Sequence, residues 1–323
     1  MICLLVQPIH SAGIELLRSG GLEVQQASSA AMDVVAREIG GASAAITRNA
    51  GLNRAAMEAA SRLRILGNHG IGVDPVDVAY ATEAGIPVVY TPYANVQSVA
   101  EHAVAQMLAV ARRIRESDRA VRAGRFDYRY AREFHELSGK TLGIVGFGVI
   151  GRRTAEMAKA AFGMRVIVYS PKADPADIAA AGMERVERLD DLLASADVVS
   201  LHQRLTPDTR GLFDYARLSR MKKGAILVNT GRGATVDADA LIAVVSSGHL
   251  LGAAMDVFDH EPISADHPFT KVDGILLTPH TAGSTEEALE RTAVETARQV
   301  LDVLAGQRPP HLVNPEVWDH RRR

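Results

Sequence analysis

The chain has 323 residues, of which 47% are hydrophobic and 23% charged, so it is long enough for two globular domains and too apolar for a disordered protein. Its formal net charge of -2 gives no general attraction to nucleic acid or to an anionic membrane, so neither is expected as a partner. No apolar run approaches the ~20 residues of a membrane helix, and the start lacks the features of a signal peptide, so a cytoplasmic protein is expected. A single cysteine excludes an internal disulfide, and no metal is expected because no ligand spacing such as H-E-x-x-H occurs.

Short β-branched runs alternate with helical patterns through the first third of the chain, which is typical of parallel α/β layers. The predicted strands are Ile2–Val6, Leu22–Gln26, Ala44–Thr47, Ile65–Asn68 and Val88–Tyr90. The predicted helices between them are Ser11–Arg18, Ala31–Ile39, Arg54–Ser61 and Val76–Ala84. This part is therefore expected to form a small doubly wound parallel-sheet domain of flavodoxin-like type.

A long helix is predicted next, from about Val96 to Arg115, because apolar side chains recur at helical spacing from Val99 to Val110. It leads into a polar, Tyr- and Arg-rich segment, Arg115–His135, which is interpreted as a connector. The weak periodicity of that segment gives no basis for a further helix.

A second series of strands begins after this connector. Its predicted strands are Leu142–Val145, Val166–Tyr169, Val198–His202, Ala225–Asn229, Gly252–Val257 and Ile275–Thr278. Their number and spacing are typical of a Rossmann domain, and the last predicted helix, about Thr285–Ala305, is expected to return to the first domain. The sequence thus predicts a doubly wound Rossmann domain over residues 97–285, inserted into a discontinuous domain of residues 1–96 and 286–323.

The loop after the first strand of the second series reads Gly146-Phe147-Gly148-Val149-Ile150-Gly151 and opens a helix. In this G-x-G-x-x-G pattern Gly146 permits a tight turn, Gly148 leaves room for a pyrophosphate, and Gly151 lets helix and strand pack closely. The helix N-terminus would supply amide donors to the anion. Because strand, spacing and helix agree, these six residues predict a dinucleotide site, with a glycine turn required only for packing as the alternative.

Dinucleotide sites of this type usually carry an acidic residue about 20 positions further on, which binds the adenosine ribose. Here that place reads Ser170-Pro171-Lys172, without a carboxylate. Nothing then repels a 2′-phosphate, and Lys172 offers it a cationic partner. The alternative is that Ser170 bonds the ribose of NAD while Lys172 points to solvent, so NAD and NADP both stay open as the cofactor.

Three polar side chains follow buried strands of the second series, at the edge where an α/β sheet gathers its functional groups. Arg232 stands between two glycines in Asn229-Thr230-Gly231-Arg232-Gly233, which a carboxylate-binding guanidinium explains better than packing does. Glu261 follows in Asp256-Val257-Phe258-Asp259-His260-Glu261-Pro262, and His280 in Thr278-Pro279-His280. A histidine that stands alone is more often structural than catalytic.

The order and sequence of these motifs resemble the D-2-hydroxyacid dehydrogenase family, which includes phosphoglycerate dehydrogenases and glyoxylate/hydroxypyruvate reductases. The resemblance covers essentially the whole chain. It includes the segments Asn68-His69-Gly70-Ile71-Gly72-Val73-Asp74, Val99-Ala100-Glu101-His102, Leu201-His202, Leu205-Thr206-Pro207-Asp208-Thr209 and Val313-Asn314-Pro315. Several linked motifs in this order are much more specific than the glycine loop alone.

The resemblance implies an NAD(P)-dependent enzyme that interconverts a small 2-oxo acid and its D-2-hydroxy acid. Arg232 would anchor the substrate carboxylate and help to polarise the 2-oxo group. His280 would be the general acid in reduction and the general base in oxidation, and Glu261 would orient its imidazole and stabilise the protonated form. The chemistry agrees, since hydride delivery to C2 leaves a developing alkoxide that needs a nearby proton donor.

The resemblance also implies a dinucleotide-binding role for residues 97–285 and a substrate-binding role for the discontinuous domain. Asp256 would contact the nicotinamide carboxamide, and Thr230 and Gly231 would line the cofactor cleft. His202 would be structural or line the cofactor. These residues join the glycine loop and residues 170–172 as predicted cofactor contacts.

In the discontinuous domain the implied substrate contacts are the backbone donors of Ile71 and Gly72 and the side chain of Asn95. The acid itself stays open: reduction of glyoxylate or hydroxypyruvate is favoured, and the alternative is D-3-phosphoglycerate dehydrogenation, whose phosphate would need cations such as Arg48. The helix from Val96 resembles the family's dimer-forming arm, so a homodimer is expected.

Two positions depart from the family pattern. Arg204 stands where the family often has Pro, and Ser170 where a carboxylate is expected, and both leave the cofactor choice open. Glu261 argues against a formate dehydrogenase, which has Gln there. A non-catalytic, dinucleotide-sensing binding protein of the corepressor type is the alternative from another class, and the complete set of Arg232, Glu261 and His280 favours an enzyme over it.

Overall fold

The computed structural model describes residues 1–131 and 133–323. The chain forms two units: the first comprises Met1–Asn95 and Ser284–Arg323, and the second comprises Val96–Gly283. Across the described residues, every helix falls short of the length and apolar content that a membrane span requires.

The first unit contains a five-stranded parallel sheet with the strand order β2-β1-β3-β4-β5. Its strands are β1 (Ile2–Leu5), β2 (Glu23–Gln26), β3 (Ala42–Thr47), β4 (Ile65–Asn68) and β5 (Val88–Val89). Its helices are α1 (Ser11–Ser19), α2 (Met32–Glu38), α3 (Arg54–Ala59), α4 (Val78–Glu83) and α12 (Glu286–Leu304). The winding direction changes between β1 and β3, as in flavodoxin-like domains.

Both faces of this sheet are buried, so its strands are apolar on both sides. In β1, Cys3 and Leu5 point into one core cluster and Leu4 into another, as the alternation of a strand requires. Burial raises the pKa of the Cys3 thiol to about 12, which keeps it protonated and unreactive at neutral pH. Helix α12 packs closely on β4, where a Cβ on Gly67 would lie 2.7 Å from Thr296 Cγ2.

The second unit contains a seven-stranded parallel sheet with the order β12-β11-β10-β9-β6-β7-β8. Its strands are β6 (Thr141–Val145), β7 (Arg165–Tyr169), β8 (Glu184–Arg185), β9 (Val198–Leu201), β10 (Ile226–Asn229), β11 (Gly252–Met255) and β12 (Ile275–Leu277). Its helices are α5 (Val96–Ala111), α6 (Ile114–Arg122), α7 (Val149–Phe162), α8 (Pro175–Ala180), α9 (Leu189–Ser195), α10 (Tyr215–Leu218) and α11 (Ala238–Ser246). The order is that of a Rossmann sheet with one added strand.

The predicted fold class, two doubly wound parallel-sheet domains, is confirmed. Each predicted strand agrees with an observed one to within two residues at either end. Strand β8 was not predicted, because its two residues are both charged and carry no apolar pattern.

The helix predicted over 96–115 is wrong at its C-terminal end. Helix α5 ends at Ala111, and Arg113 has a left-handed backbone with φ of 50°, which separates α5 from α6. The stripe of buried side chains on α5 also ends at Ala111, so packing against the core would not stabilise a longer helix. All but the first residue of α6 lies in the predicted connector, Arg115–His135, of which Arg132 is outside the described residues.

Candidate active site

The glycine loop connects β6 to α7 in the second unit. Gly146 has φ of 95°, and a Cβ there would lie 2.7 Å from the backbone nitrogen of Gln203. A Cβ on Gly151 would lie 2.1 Å from the carbonyl oxygen of Gly146, so helix and strand pack this closely only with glycine. The fold itself therefore requires both residues to be glycine.

Gly148 differs, since a Cβ there would meet no heavy atom of the described residues within 4 Å. It is the N-cap of α7, and no described side chain caps that helix end. The first amides of α7 therefore face open space beside bare backbone, which is where a helix N-terminus binds a pyrophosphate. Phe147, Val149 and Ile150 complete this loop, and its contact with the phosphates of a dinucleotide stays a prediction.

Strand β7 ends at the residues predicted to meet the adenosine ribose. Ser170 is half-buried, and Pro171 and Lys172 are exposed. The first carboxylate after β7 is Asp174, which caps α8 by accepting a hydrogen bond from the amide of Ala176 at 2.8 Å. That carboxylate is therefore already engaged by a helix end.

His202 follows β9 and lies against the glycine loop, 3.3 Å from the place of a Cβ on Gly151. Its Nε2 lies 2.9 Å from the hydroxyl of Ser200. Burial lowers the pKa of His202 to about 4, so the imidazole is neutral at pH 7. The cofactor-lining role of His202 stays a prediction.

Glu261 and His280 meet beyond the carboxyl ends of β11 and β12, which are neighbours in the sheet. His280 Nδ1 lies 2.7 Å from Glu261 Oε2, and the two side chains are 32% and 28% exposed. Because a carboxylate only accepts hydrogen bonds, Nδ1 carries the proton between them and Nε2 is left for another partner. This is the geometry of a base that a carboxylate orients.

The electrostatics of Glu261 involve both other members of the predicted catalytic set. Burial by itself raises the pKa of its carboxyl. That pKa nevertheless lies below its ordinary value, because His280 lowers it through a hydrogen bond and its charge. The amide of Phe258, at 2.9 Å, and the charge of Arg232 lower it further. Glu261 is therefore ionised at pH 7. Arg232, Glu261 and His280 are thus brought together at one edge of one sheet.

Arg232 is half-buried in the loop after β10, beside Thr230 and Gly231, which are partly exposed. Asn229 Nδ2 donates to the Arg232 carbonyl at 3.0 Å, and Asn229 Oδ1 accepts from the amide of Gly231 at 3.0 Å. The hydroxyl of Thr235 donates to the same Arg232 carbonyl at 2.7 Å. A buried asparagine therefore fixes the backbone that presents the guanidinium.

Asp256, predicted to contact the nicotinamide, has a fully buried carboxylate. Its Oδ1 accepts from the hydroxyl of Thr278 at 2.5 Å and from the amide of Thr281 at 2.9 Å, and its Oδ2 accepts from the amide of Ala282 at 2.9 Å. Both oxygens are thus engaged by the segment that carries His280. Its contact with a nicotinamide carboxamide stays a prediction.

The predicted substrate contacts Ile71, Gly72 and Asn95 belong to the first unit, whereas the predicted catalytic set belongs to the second. Asn68 Nδ2 donates to the carbonyls of Gly70 and Gly72 at 3.1 and 3.0 Å, which fixes the loop after β4. Ile71 and Gly72 are partly exposed in that loop, and Asn95 Oδ1 is buried without a hydrogen-bond partner in the described residues.

Arg48 and His69 follow β3 and β4 at the same edge of the first unit. His69 is 8% exposed, and its Nε2 has no hydrogen-bond partner among the described residues. Burial, and after it the charge of Arg48, lowers the pKa of His69 to about 4. At neutral pH Arg48 therefore carries positive charge here and His69 does not.

Two polar residues of the site, Gln106 and Thr278, received no role in the sequence analysis. Gln106 is buried on α5, and its Nε2 donates to the hydroxyl of Thr278 at 3.0 Å. A signal was present, because Gln106 falls on the apolar stripe of α5 between Ala103 and Val110, where a polar residue is out of place. No group of three or more His, Cys, Asp or Glu side chains in the described residues is placed to hold a metal ion.

The fold and the glycine loop define a Rossmann-type dinucleotide-binding protein with an Arg–Glu–His set at its sheet edge. The family model described as "D-isomer specific 2-hydroxyacid dehydrogenase, NAD binding domain" matches residues 104–282. The glyoxylate reductase of Thermofilum pendens is 41% identical over 265 residues, which are 81% of this chain and 78% of that protein.

Two further proteins extend the likeness to nearly the whole chain. The D-3-phosphoglycerate dehydrogenase of Archaeoglobus fulgidus is 36% identical over 97% of this chain, which spans only 59% of that relative's length. The crystal structure of a D-lactate dehydrogenase from Aquifex aeolicus, in complex with NAD and lactic acid, has 28% identity and a TM-score of 0.85, covering 97% of this chain and 99% of that one. This chain belongs to the D-isomer specific 2-hydroxyacid dehydrogenase family.

The predicted family is therefore confirmed, and with it the class of enzyme, an oxidoreductase that acts on the CH–OH group of 2-hydroxy acids. The prediction of a nicotinamide cofactor is confirmed as far as an NAD-binding domain. The roles of the individual site residues stay predictions.

Proposed function

We propose that the protein reduces a short 2-oxo acid, glyoxylate or hydroxypyruvate, to its D-2-hydroxy acid with NADH or NADPH. The observation that carries the proposal is the hydrogen bond of 2.7 Å between His280 and Glu261, at the sheet edge that also presents Arg232. Glyoxylate reduction is placed first because the glyoxylate reductase of Thermofilum pendens aligns over 78% of its own length, against 59% for the Archaeoglobus phosphoglycerate dehydrogenase.

In this proposal the chain's own residues hold the acid and move the proton. The bound dinucleotide supplies the hydride. Arg232 grips the substrate carboxylate through its forked guanidinium and draws electrons from the adjacent carbonyl. His280 gives the proton on Nε2 to the oxygen that becomes the hydroxyl, while Glu261 holds Nδ1 and stabilises the charge.

The main experiment measures consumption of NADH and NADPH with glyoxylate, hydroxypyruvate, pyruvate and 3-phosphohydroxypyruvate. Turnover with the first two and a raised KM for the acid in Arg232→Gln, at unchanged dinucleotide affinity, are expected. If no short 2-oxo acid is turned over while the dinucleotide still binds, the protein is a dinucleotide-sensing binding protein and the proposal is wrong.

We propose that the dinucleotide is accepted with or without a 2′-phosphate. Ser170 and Lys172 stand where a carboxylate would repel that phosphate, Asp174 is engaged by α8, and Arg204 is exposed after β9. Lys172→Glu is expected to lower kcat/KM for NADPH about tenfold and to leave NADH unchanged. Equal changes with both cofactors would show that Lys172 only faces solvent.

A second candidate substrate is 3-phosphohydroxypyruvate, in the direction opposite to D-3-phosphoglycerate oxidation. The observation that favours it is Arg48, which is half-buried at the carboxyl edge of the first unit, beside the neutral His69. A guanidinium in such a place binds a phosphate well. The substrate panel separates the two candidates directly.

We further propose that the protein is a homodimer through the segment 114–130. Four large hydrophobic side chains of this segment are exposed, namely Ile114, Val121, Phe126 and Tyr130. An exposed apolar row of this kind is typical of a protein interface. Val121→Glu with Phe126→Glu is expected to give a monomer in sedimentation, and a wild-type monomer would contradict the proposal.

A further inference from the structure

The hydroxyl of Thr278 lies at the centre of a hydrogen-bond network in the second unit. It donates to Asp256 Oδ1 at 2.5 Å and accepts from Gln106 Nε2 at 3.0 Å. His102 Nε2 is 3.1 Å from the same hydroxyl. Because Thr278 donates its one hydroxyl proton to Asp256, the hydroxyl oxygen accepts a hydrogen bond from His102 Nε2. The network thus joins helix α5 to the end of β12.

Asp256 extends this network to the segment that carries His280. Its carboxylate accepts from the amides of Thr281 and Ala282, both at 2.9 Å, and its carbonyl accepts from the amide of His280 at 2.8 Å. Successive amides that face one anion form a nest, which involves a residue in the left-handed region. His280 is that residue, with φ of 53°.

A left-handed backbone is unfavourable for histidine, so it persists only where the surroundings fix it. Here the fixing group is a carboxylate that is fully buried, and a buried charge depends on all of its hydrogen bonds. The 2.5 Å bond from Thr278 has the length of a strong, charge-assisted hydrogen bond. Thr278 therefore helps to fix the backbone conformation of His280 through Asp256, without contacting the imidazole ring.

Gln106 supports the same reading from α5. It is 2% exposed, and its Oε1 is buried without a hydrogen-bond partner in the described part of the chain. A buried polar atom without a partner destabilises the fold, so an apolar residue would serve packing better on this stripe. The bond from Gln106 instead orients the hydroxyl of Thr278 toward Asp256.

We propose that Thr278 is a positioning residue for His280. Its hydroxyl holds the Asp256 carboxylate, which holds residues 280–282 and with them the imidazole. The inference rests on the proposed function only in treating His280 as the proton donor. Displacement of a reacting group by about 1 Å costs about 100-fold in rate, so loss of the hydroxyl is expected to act on kcat.

The test replaces the hydroxyl by a methyl group in Thr278→Val. We expect kcat with the best 2-oxo acid to fall about 10- to 100-fold, with the dinucleotide Kd within about twofold of wild type. Thr278→Ser is expected to restore kcat. The matched control is Thr154→Val, a fully buried threonine on α7 whose hydroxyl has no partner among the described residues, and it should leave kcat unchanged.

A double variant separates positioning from a general loss of structure. If Thr278 acts through His280, Thr278→Val causes no further fall in kcat when His280 is already alanine. Additive losses, an intact kcat, or a raised dinucleotide Kd with intact kcat would each overturn the inference. If Thr278→Val does not fold, Gln106→Leu replaces it and is expected to give a smaller fall in kcat.

Two readouts keep this inference apart from the proposed function. Wild-type turnover with any short 2-oxo acid decides the proposed function alone. Amide hydrogen exchange at Thr281 and Ala282 needs no turnover, and it should be faster in Thr278→Val than in wild type and Thr154→Val. Unchanged exchange would show that the hydroxyl does not hold this segment.

Discussion

The two units of this protein differ in the hydrogen bonds of particular polar side chains that follow their strands. In the second unit Glu261 bonds to His280 and Asp256 to Thr278. In the first unit His69 Nε2 and Thr91 Oγ1 are buried, and neither has a hydrogen-bond partner among the described residues.

This difference indicates how the two edges can work. A proton donor must be oriented before its substrate arrives, and mutual hydrogen bonds provide that orientation in the second unit. In the first unit His69 Nε2 and Thr91 Oγ1 have no such bonds among the described residues, and burying a polar atom without a partner destabilises the fold. The predicted recognition groups of the first unit, Arg48 and the loop at Ile71 and Gly72, are partly exposed instead. We therefore propose that chemistry falls to the second unit and recognition of the acid to the first.

The largest expected effect tests whether the chemistry lies in the second unit. His280→Ala is expected to lower kcat about 1000-fold, because general acid catalysis contributes about 100- to 10,000-fold. Dinucleotide affinity, measured by quenching of protein fluorescence, should be unchanged. The control is His260→Ala, since this neighbouring side chain is 96% exposed. Comparable activity in the two variants would remove His280 from the reaction.

Glu261→Gln should have the next largest effect, a fall in kcat of about 100-fold, because the imidazole loses its ionised partner. The change also has a pH signature in stability. The pKa of Glu261 is lowered in the folded protein, so the carboxylate stabilises the fold above its unfolded pKa, near the ordinary value of 4.5, and this contribution is lost as pH falls through the lower folded pKa.

Wild type should therefore exceed Glu261→Gln in thermal stability at pH 7, and the gap should close as the pH is lowered below about 4.5. The control is Asp259→Asn, which removes an exposed neighbouring charge paired to Arg210 at 3.2 Å. A gap that stays constant down to the lowest pH at which the protein folds would contradict the lowered pKa of Glu261.

Much of this arrangement could be predicted from the sequence, because its signals are local. The strands are apolar runs between turns, and the glycine loop follows a strand at a fixed spacing, as at Gly146 and Gly151. The residues Arg232, Glu261 and His280 each stand in the loop that follows a strand, so the edge on which they stand was predictable from topology. The position of Arg232 between two glycines indicated carboxylate binding, whereas the roles of Glu261 and His280 were implied by family resemblance.

The rest depended on contacts that spacing does not encode. Thr278 and Gln106 are 172 positions apart, and their hydrogen bond exists only because α5 packs on this sheet. The burial of Asp256 and the positive φ of His280 also follow from tertiary packing. Arg113 ended a helix that its neighbours' propensities would continue, because the buried stripe had already ended.

A smaller effect is expected at the recognition edge of the first unit. Arg48→Met should raise KM for 3-phosphohydroxypyruvate about 10- to 100-fold, because a charge-assisted hydrogen bond contributes about 1.5 to 3 kcal/mol. KM for glyoxylate, which has no second anionic group, should stay within about twofold. The control is Arg54→Met, a surface arginine of the same unit that pairs with Glu58 at 2.8 Å. An equal rise for both acids would mean that Arg48 does not select between them.

The smallest expected effect compares two buried threonines. Thr91 is fully buried, as an unpartnered hydroxyl in the first unit, whereas the hydroxyl of Thr278 has three polar neighbours in the second. Replacing an unsatisfied buried hydroxyl by a methyl group removes an energetic cost without removing a hydrogen bond. Thr91→Val should therefore leave kcat unchanged. It should raise the free energy of unfolding by no more than about 1 kcal/mol. Thr278→Val should lower both stability and kcat. Chemical denaturation and steady-state kinetics on the two variants measure this contrast.

A loss of stability in Thr91→Val would mean that its hydroxyl has a hydrogen-bond partner. The difference between the two edges would then be smaller than their geometry indicates.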